Sequence, residues 1–165
     1  MTLLEVLIVC ALLIMLAALA VVPNYRAYER HRAASDAALR LAADIALLER
    51  TAQNDGLYGG ATLRIVSAQP LSYAGYRGRP QELNVAWQQG PLLLQREFAG
   101  VELAPGAVTA SGALLFARNG SAQFVARGSW VNQHQTIELV VASAEDAQRT
   151  AVVELNLFTG ALAVR

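Results

Sequence analysis

The chain has 165 residues with 13 basic and 13 acidic side chains, so its formal net charge is zero, which argues against polyanion binding by bulk charge and against an acidic solvating tail. Every basic residue is Arg, which excludes a P-loop, a Schiff-base lysine and a kinase-type phosphate lysine. The single cysteine, Cys10, sits in an apolar run, so no intrachain disulfide, thiolate zinc cluster or CxxC redox pair can form.

Residues Met1 to Tyr25 read MTLLEVLIVCALLIMLAALAVVPNY, and from Val6 to Val22 seventeen consecutive residues are apolar. As α-helix that run is about 26 Å long, close to the ~30 Å hydrocarbon thickness of a bilayer. Glu5 is the one carboxylate at its edge. Two readings of it stand side by side. Thr2-x-x-Glu5 forms a capping box that satisfies the free N–H groups at the helix start, or Glu5 meets the α-amino group of Met1 in a neighbouring copy as helices stack, neutralising both charges. No basic residue precedes Val6 and V-V-P-N-Y is a poor cleavage site, so a cleavable secretory signal peptide does not account for the segment.

The run T-L-L-E-V-L-I-V, followed by apolar residues and then V-P-N-Y, resembles the N-terminal segment of type IV pilins and type II secretion pseudopilins. The resemblance covers about 25 residues. It implies that Met1 is left after a prepilin peptidase removes a short basic leader, that its amine is a site of N-methylation, and that Glu5 matches the family's assembly glutamate. Thr2 and Pro23 fall at the other positions of that assembly segment. Met1 stands where Phe is usual, Pro23 lies one residue later than the family's helix proline, and Ile14 occupies the place of a mid-span glycine. With no disulfide to close a C-terminal loop, the chain leans toward the pseudopilin or minor-pilin side.

Asn24 to Asn54 reads as a continuation of the helix. Ala34, Ala38, Leu41, Ile45 and Leu48 recur at spacings of three and four, while Arg30, Asp36, Arg40, Asp44 and Arg50 form a charged surface. Pro23 should kink or loosen the junction of the two halves, and N-D-G from Asn54 to Gly56 is a stop signal. The whole helix should run about 50 residues, on the order of 75–80 Å. The expected organisation is a hydrophobic membrane or filament-core helix over 1–23, its amphipathic continuation over 24–55, and a β-rich globular head over 56–165.

Beyond Gly56 the pattern changes to short β-like runs between turns. Ala61 to Val66, Leu83 to Trp87, Leu92 to Phe98, Ala113 to Arg118, Ala122 to Arg127, Thr136 to Ala142, Thr150 to Leu157 and Ala161 to Val164 read as strands. Leu57 to Gly60 and Tyr73 to Pro80 read as loop, and Asn119-Gly120 is the clearest hairpin turn. The fold class expected from all this is α+β. A long N-terminal helix, apolar half plus amphipathic half, packs against a C-terminal antiparallel sheet domain, which the resemblance identifies as the pilin fold.

The C-terminal order G-A-L-L-F-A-R-N-G-S-A, then T-I-E-L, then V-V-E-L-N-L-F-T-G-A-L-A-V is similar to the GspH/FimT-like minor pilins and pseudopilins. Some members of that family bind DNA through basic residues on the last hairpin. Here that hairpin carries only Arg165, so nucleic-acid contact would need Arg165 to join Arg118 and Arg127, and no nucleic-acid partner is expected.

Catalytic constellations are missing: His31 and His134 share no metal-ligand spacing, and there is no G-x-S-x-G or G-x-G-x-x-G. The pair Glu145-Asp146 offers too few oxygens for calcium. No enzymatic activity, cofactor or metal is expected. The function that the resemblance implies is a structural subunit of a type II secretion pseudopilus or type IV pilus-like filament, serving protein secretion. Such a subunit is held single-pass in the bacterial inner membrane with a periplasmic head before assembly. Its partners are other copies or other pilin-like subunits, the prepilin peptidase and assembly platform proteins. The competing reading is a minor pilin that binds DNA or a surface at a pilus tip.

Overall fold

The computed structural model describes residues 3–55, 57, 59–78, 90–104, 112–126, 129–131, 136–144 and 146–165. Backbone in helical conformation forms α1 (Leu3–Asn54), with side chains described at Leu3, over 6–17 and over 32–54. Ten strands follow: β1 (Gly60–Ala68), β2 (Leu71–Arg77), β3 (Leu92–Phe98), β4 (Val101–Leu103), β5 (Ala113–Ala117), β6 (Ala122–Ala126), β7 (Ser129–Val131), β8 (Thr136–Ser143), β9 (Asp146–Asn156) and β10 (Leu162–Val164). They build two sheets, one ordered β3-β2-β1-β5-β6-β7 and the other β10-β9-β8-β4. Every described pairing is antiparallel.

This arrangement overturns the expected fold class. Where its side chains are described, the helix is a short stretch of 12 residues and a second of 23, with no long N-terminal apolar helix among them, and the remainder is mostly antiparallel strand. The physical reason lies in the two patterns. Residues 32–54 carry an apolar stripe on one side only and can be covered by sheet, whereas 6–17 is apolar on every side and is exposed throughout. The β part is also two sheets, not one, and the second helical stretch touches strands of both.

The stripe on 32–54 is Ala34, Ala37, Ala38, Leu41, Ile45, Leu48 and Ala52, all buried. It meets Leu63, Ile65, Leu71 and Tyr73 from the larger sheet and Leu139, Val141, Val153 and Leu155 from the smaller one, in one continuous core. Strand alternation explains which residues face that core. Leu63 lies opposite Gly75 and Leu114, and Ile65 opposite Tyr73, so these share a face. The opposite face of the larger sheet is covered as well: Ala74, Ala113, Leu115 and Val125 are all buried. Their alternation places them away from the helix.

Three local expectations are corrected. Of Tyr73 to Pro80, read as loop from its glycines, Tyr73 to Arg77 is strand and Arg79 and Pro80 lie outside the described residues; Gly75 serves close packing there and not a turn. A Cβ on Gly75 would lie 2.9 Å from Leu94 Cγ and 3.0 Å from both Leu48 methyl carbons, so the absent side chain is what lets α1 seat on β2 and β3. Asp44, assigned to the charged surface, is buried. The three-residue strands β4 and β7 had no counterpart in the expected set, being too short to show an alternation. By contrast, the turn at Asn119-Gly120 sits where the sequence puts it, with Gly120 N–H donating to Ala117 O at 3.1 Å, and a second turn closes at Gly160, whose N–H donates to Asn156 O at 2.9 Å.

Leu83 to Trp87, Met1, Thr2, Arg127, His134 and Glu145 lie outside the described residues. Glu5, Pro23 and His31 belong to the helical backbone of α1, and their side chains lie outside them too.

Candidate functional site

Nothing in α1 before residue 32 that has a described side chain is covered. Leu7, Leu13, Ile14, Met15 and Leu16 are all 60% exposed or more, and Cys10 between them is exposed. Twelve helical residues make more than three turns, so this is an apolar cylinder and not an amphipathic face. Burying what remains exposed of its large side chains, Val6 to Val9 and Leu12 to Leu16, amounts to on the order of 10 kcal/mol of transfer free energy. That quantity stays unrealised in an isolated chain. Contiguous apolar surface on this scale marks a contact site.

The described side chains of this stretch cover only part of the helical backbone of α1. Twelve residues of helix span about 18 Å, and among the described residues no helix is long and apolar enough to cross a membrane. The expected single-pass placement of residues 1–23 therefore draws no support from them.

A second constellation anchors the rest of α1. Asp44, buried on the helix, accepts from the Tyr73 hydroxyl at 2.9 Å and from Arg96 Nε at 3.3 Å through one oxygen, Oδ2. Tyr73 and Arg96 are direct partners across β2 and β3, so the sheet presents both donors at one point. Phe98 stacks on Tyr73 with ring centroids 6.0 Å apart. Burial, then the charge and hydrogen bond of Asp44, push the Tyr73 phenol well above its ordinary range. Such a tyrosine keeps its proton and acts as a donor holding the helix. The sequence carried one hint of this network: Asp44 continues the Ala37, Leu41, Leu48 stripe at spacings of four and three.

Near its C-terminal end α1 meets the two turns. The Glu49 carboxylate lies beside Gly160, whose φ is +69°, and any Cβ there would collide with it. Gln53 Nε2 donates to Glu49 Oε1 at 3.4 Å. Burial raises the Glu49 carboxyl above its ordinary range, with the Arg50 charge working in the opposite direction. A carboxyl raised in the folded state favours folding most while protonated, below the unfolded carboxylate range, and that contribution is lost as the pH rises through the folded value. Glu49→Gln should therefore raise the thermal midpoint at about pH 7 and change it little at about pH 3. Equal shifts at both pH values would show that the charge is not the cause.

Of the basic residues that would have to gather for nucleic-acid contact, Arg127 lies outside the described residues. Arg165 binds Glu154 Oε1 at 3.0 Å, and its backbone pairs with Val152. The β5–β6 hairpin, which carries Arg118 at its tip, reaches the residue that follows β9 through Ala122 N–H on Leu157 O. No group of three His, Cys, Asp or Glu side chains that could hold a metal ion occurs among the described residues.

Comparison with protein-family models, with curated proteins and with solved structures found no match for the chain.

Proposed function

We propose that the chain is a non-enzymatic structural subunit of a type II secretion pseudopilus or type IV pilus-like filament. The observation that carries this reading is the apolar cylinder of residues 6–17, exposed on every side while residues 32–54 and the strands share a covered core. Such a segment is satisfied by lipid or by like segments of neighbouring subunits. A subunit that passes from one to the other makes use of both. In this reading the segment is kept at the inner membrane until the prepilin peptidase and assembly platform proteins have acted. It then joins a bundle of equivalent helices in which Glu5 meets the Met1 amine of a neighbour. Thr2 and Pro23 belong to the same assembly segment, and the β part faces outward. The resemblance of T-L-L-E-V-L-I-V to the pilin N-terminus supports the same partners.

The test is incorporation. Sheared filaments examined by electron microscopy and mass spectrometry should contain the chain with a methylated N-terminus. Glu5→Ala should lower its incorporation about tenfold or more, because a buried amine would lose its counter-charge, while the membrane-held pool stays unchanged. Unaltered incorporation of that variant would leave Glu5 only a capping role. Absence of the chain from every filament preparation would remove the proposal itself.

A further inference from the structure

Two open faces of the chain are opposite in charge. Over 32–54 the helix turns its buried stripe inward and leaves Leu39, Ala43 and Leu47 exposed on the other side. Arg32, Arg40 and Arg50 lie on that same outer side with Asp36, three cations against one anion. Arg32 and Asp36 hold each other at 3.6 Å. Arg40 and Arg50 belong to no ion pair among the described residues, and Glu49 is turned away from them to Gly160.

The outer face of the smaller sheet has the converse pattern. Ile137, Leu139 and Val141 face the core, so alternation sends Glu138 and Val140 outward. Across β8 and β9, Glu154 stands opposite Glu138 and Val152 opposite Val140, while Glu102 on β4 stands opposite Ala142. Arg165 binds Glu154, and Glu102 accepts from the Gln69 amide at 2.6 Å. Glu138 is exposed and in no described ion pair. Three carboxylates against one arginine leave this face anionic among the described side chains, and like charges directly across a strand pair are an arrangement that a cation from outside relieves.

The spacings of the two faces agree as well as their signs. Arg40 and Arg50 are ten residues apart on the helix, about 15 Å at ~1.5 Å each. Glu102 and Glu138 are separated by four residues along β8 and one strand step, about 14 Å at ~3.3 Å per residue and ~4.8 Å between strands. Ala43 and Leu47 lie between the two arginines, and half-buried Val140 and Val152 lie between the two glutamates.

We infer that the outer face of α1 in one copy docks on the outer face of the smaller sheet in a second copy, with Arg40 and Arg50 on Glu102 and Glu138 and the leucine-bearing strip on Val140 and Val152. A small free cation would match the charge and leave the apolar strip wet. Because the two faces differ, the contact is heterologous: each end of a pair keeps one face open, and the contact repeats from copy to copy. It does not rest on the filament reading, since the N-terminal segment takes no part in it.

The test uses the full chain in neutral detergent micelles, which cover the apolar cylinder, with Cys10→Ser as background. Chains carrying Ala43→Cys are mixed with chains carrying Val140→Cys under mild oxidation, and disulfide-linked pairs are read on non-reducing gels. Cross-linking of 43 to 140 should exceed that of 43 to 43 about tenfold, and fall several-fold when salt is raised from roughly 50 to 500 mM. Arg40→Glu with Arg50→Glu in the first chain should lower it about tenfold, as should Glu102→Arg with Glu138→Arg in the second. Combining the two reversed chains should restore it, a gain that loss of folding could not produce. Equal or greater linkage of 43 to 43 would overturn the inference, and so would failure of the reversed pair to recover. Either failure would leave the filament reading standing, because incorporation through Glu5 is measured separately.

Discussion

Truncation of Leu48 to Ala should lower the unfolding free energy by about 2–5 kcal/mol, the cost of lost burial plus a cavity. Leu48 has no solvent exposure, and its two methyl carbons stand 3.0 Å from the place where Gly75 would carry a Cβ. Gly75→Ala in the parent chain should cost about 1–3 kcal/mol by overpacking, since Leu94 closes the other side of the same gap. The informative result is the double variant. With Leu48 shortened, the alanine methyl at position 75 enters vacated space, so the two losses should sum to more than the loss in the double variant. Denaturant unfolding of the four chains measures this. Strict additivity would mean that Gly75 is glycine for some reason other than the seating of the helix.

The Asp44 network should give the second largest effect. Asp44→Ala removes the acceptor of a buried phenol and the counter-charge of Arg96 together. Arg96 keeps nearly half of its side chain in water, so the loss is dominated by the stranded Tyr73 hydroxyl and should be about 1–3 kcal/mol. Tyr73→Phe deletes the donor without stranding a buried group of its own and should cost about 1 kcal/mol. The two variants also separate at high pH. The folded phenol is held above its ordinary range, so the unfolded chain loses this proton first. The stabilisation is complete below the unfolded tyrosine range, about pH 10, and falls away as the pH rises beyond it. Alkaline titration of stability should therefore decline less steeply in Tyr73→Phe than in the parent. An identical alkaline slope would place the ionising group elsewhere.

The sequence was most legible where a period is sustained. Ala34, Ala38, Leu41, Ile45 and Leu48 are all buried, because spacings of three and four over about four turns leave a sheet only one side on which to pack. Leu92 to Phe98 is β3 as read, and Thr136 to Ala142 falls within β8, both bounded by turn residues. Legibility failed where one residue type serves two purposes. Gly75 signals a turn by composition and a close approach by position, and only the helix packed above it decides between them. Asp44 looks like surface until its two donors arrive from strands 29 and 52 residues away. The division of the strands into two sheets was hidden for the same reason, since it depends on which edges pair at long range. Of the candidate site, the apolar run was plain from composition.

The seat of Leu48 over Gly75 also has a mechanical meaning. A helix that rests on a sheet through smooth side-chain contacts can creep along its axis, each small slip exchanging one apolar contact for another. Here the leucine occupies a notch whose floor has no side chain, and one turn away Asp44 is tied to two strands. Axial pulling on α1 would be resisted in shear, by a detent and a tether that must give way together. Forced unfolding should then show one abrupt rupture of the helix from the sheets, with no gradual sliding before it.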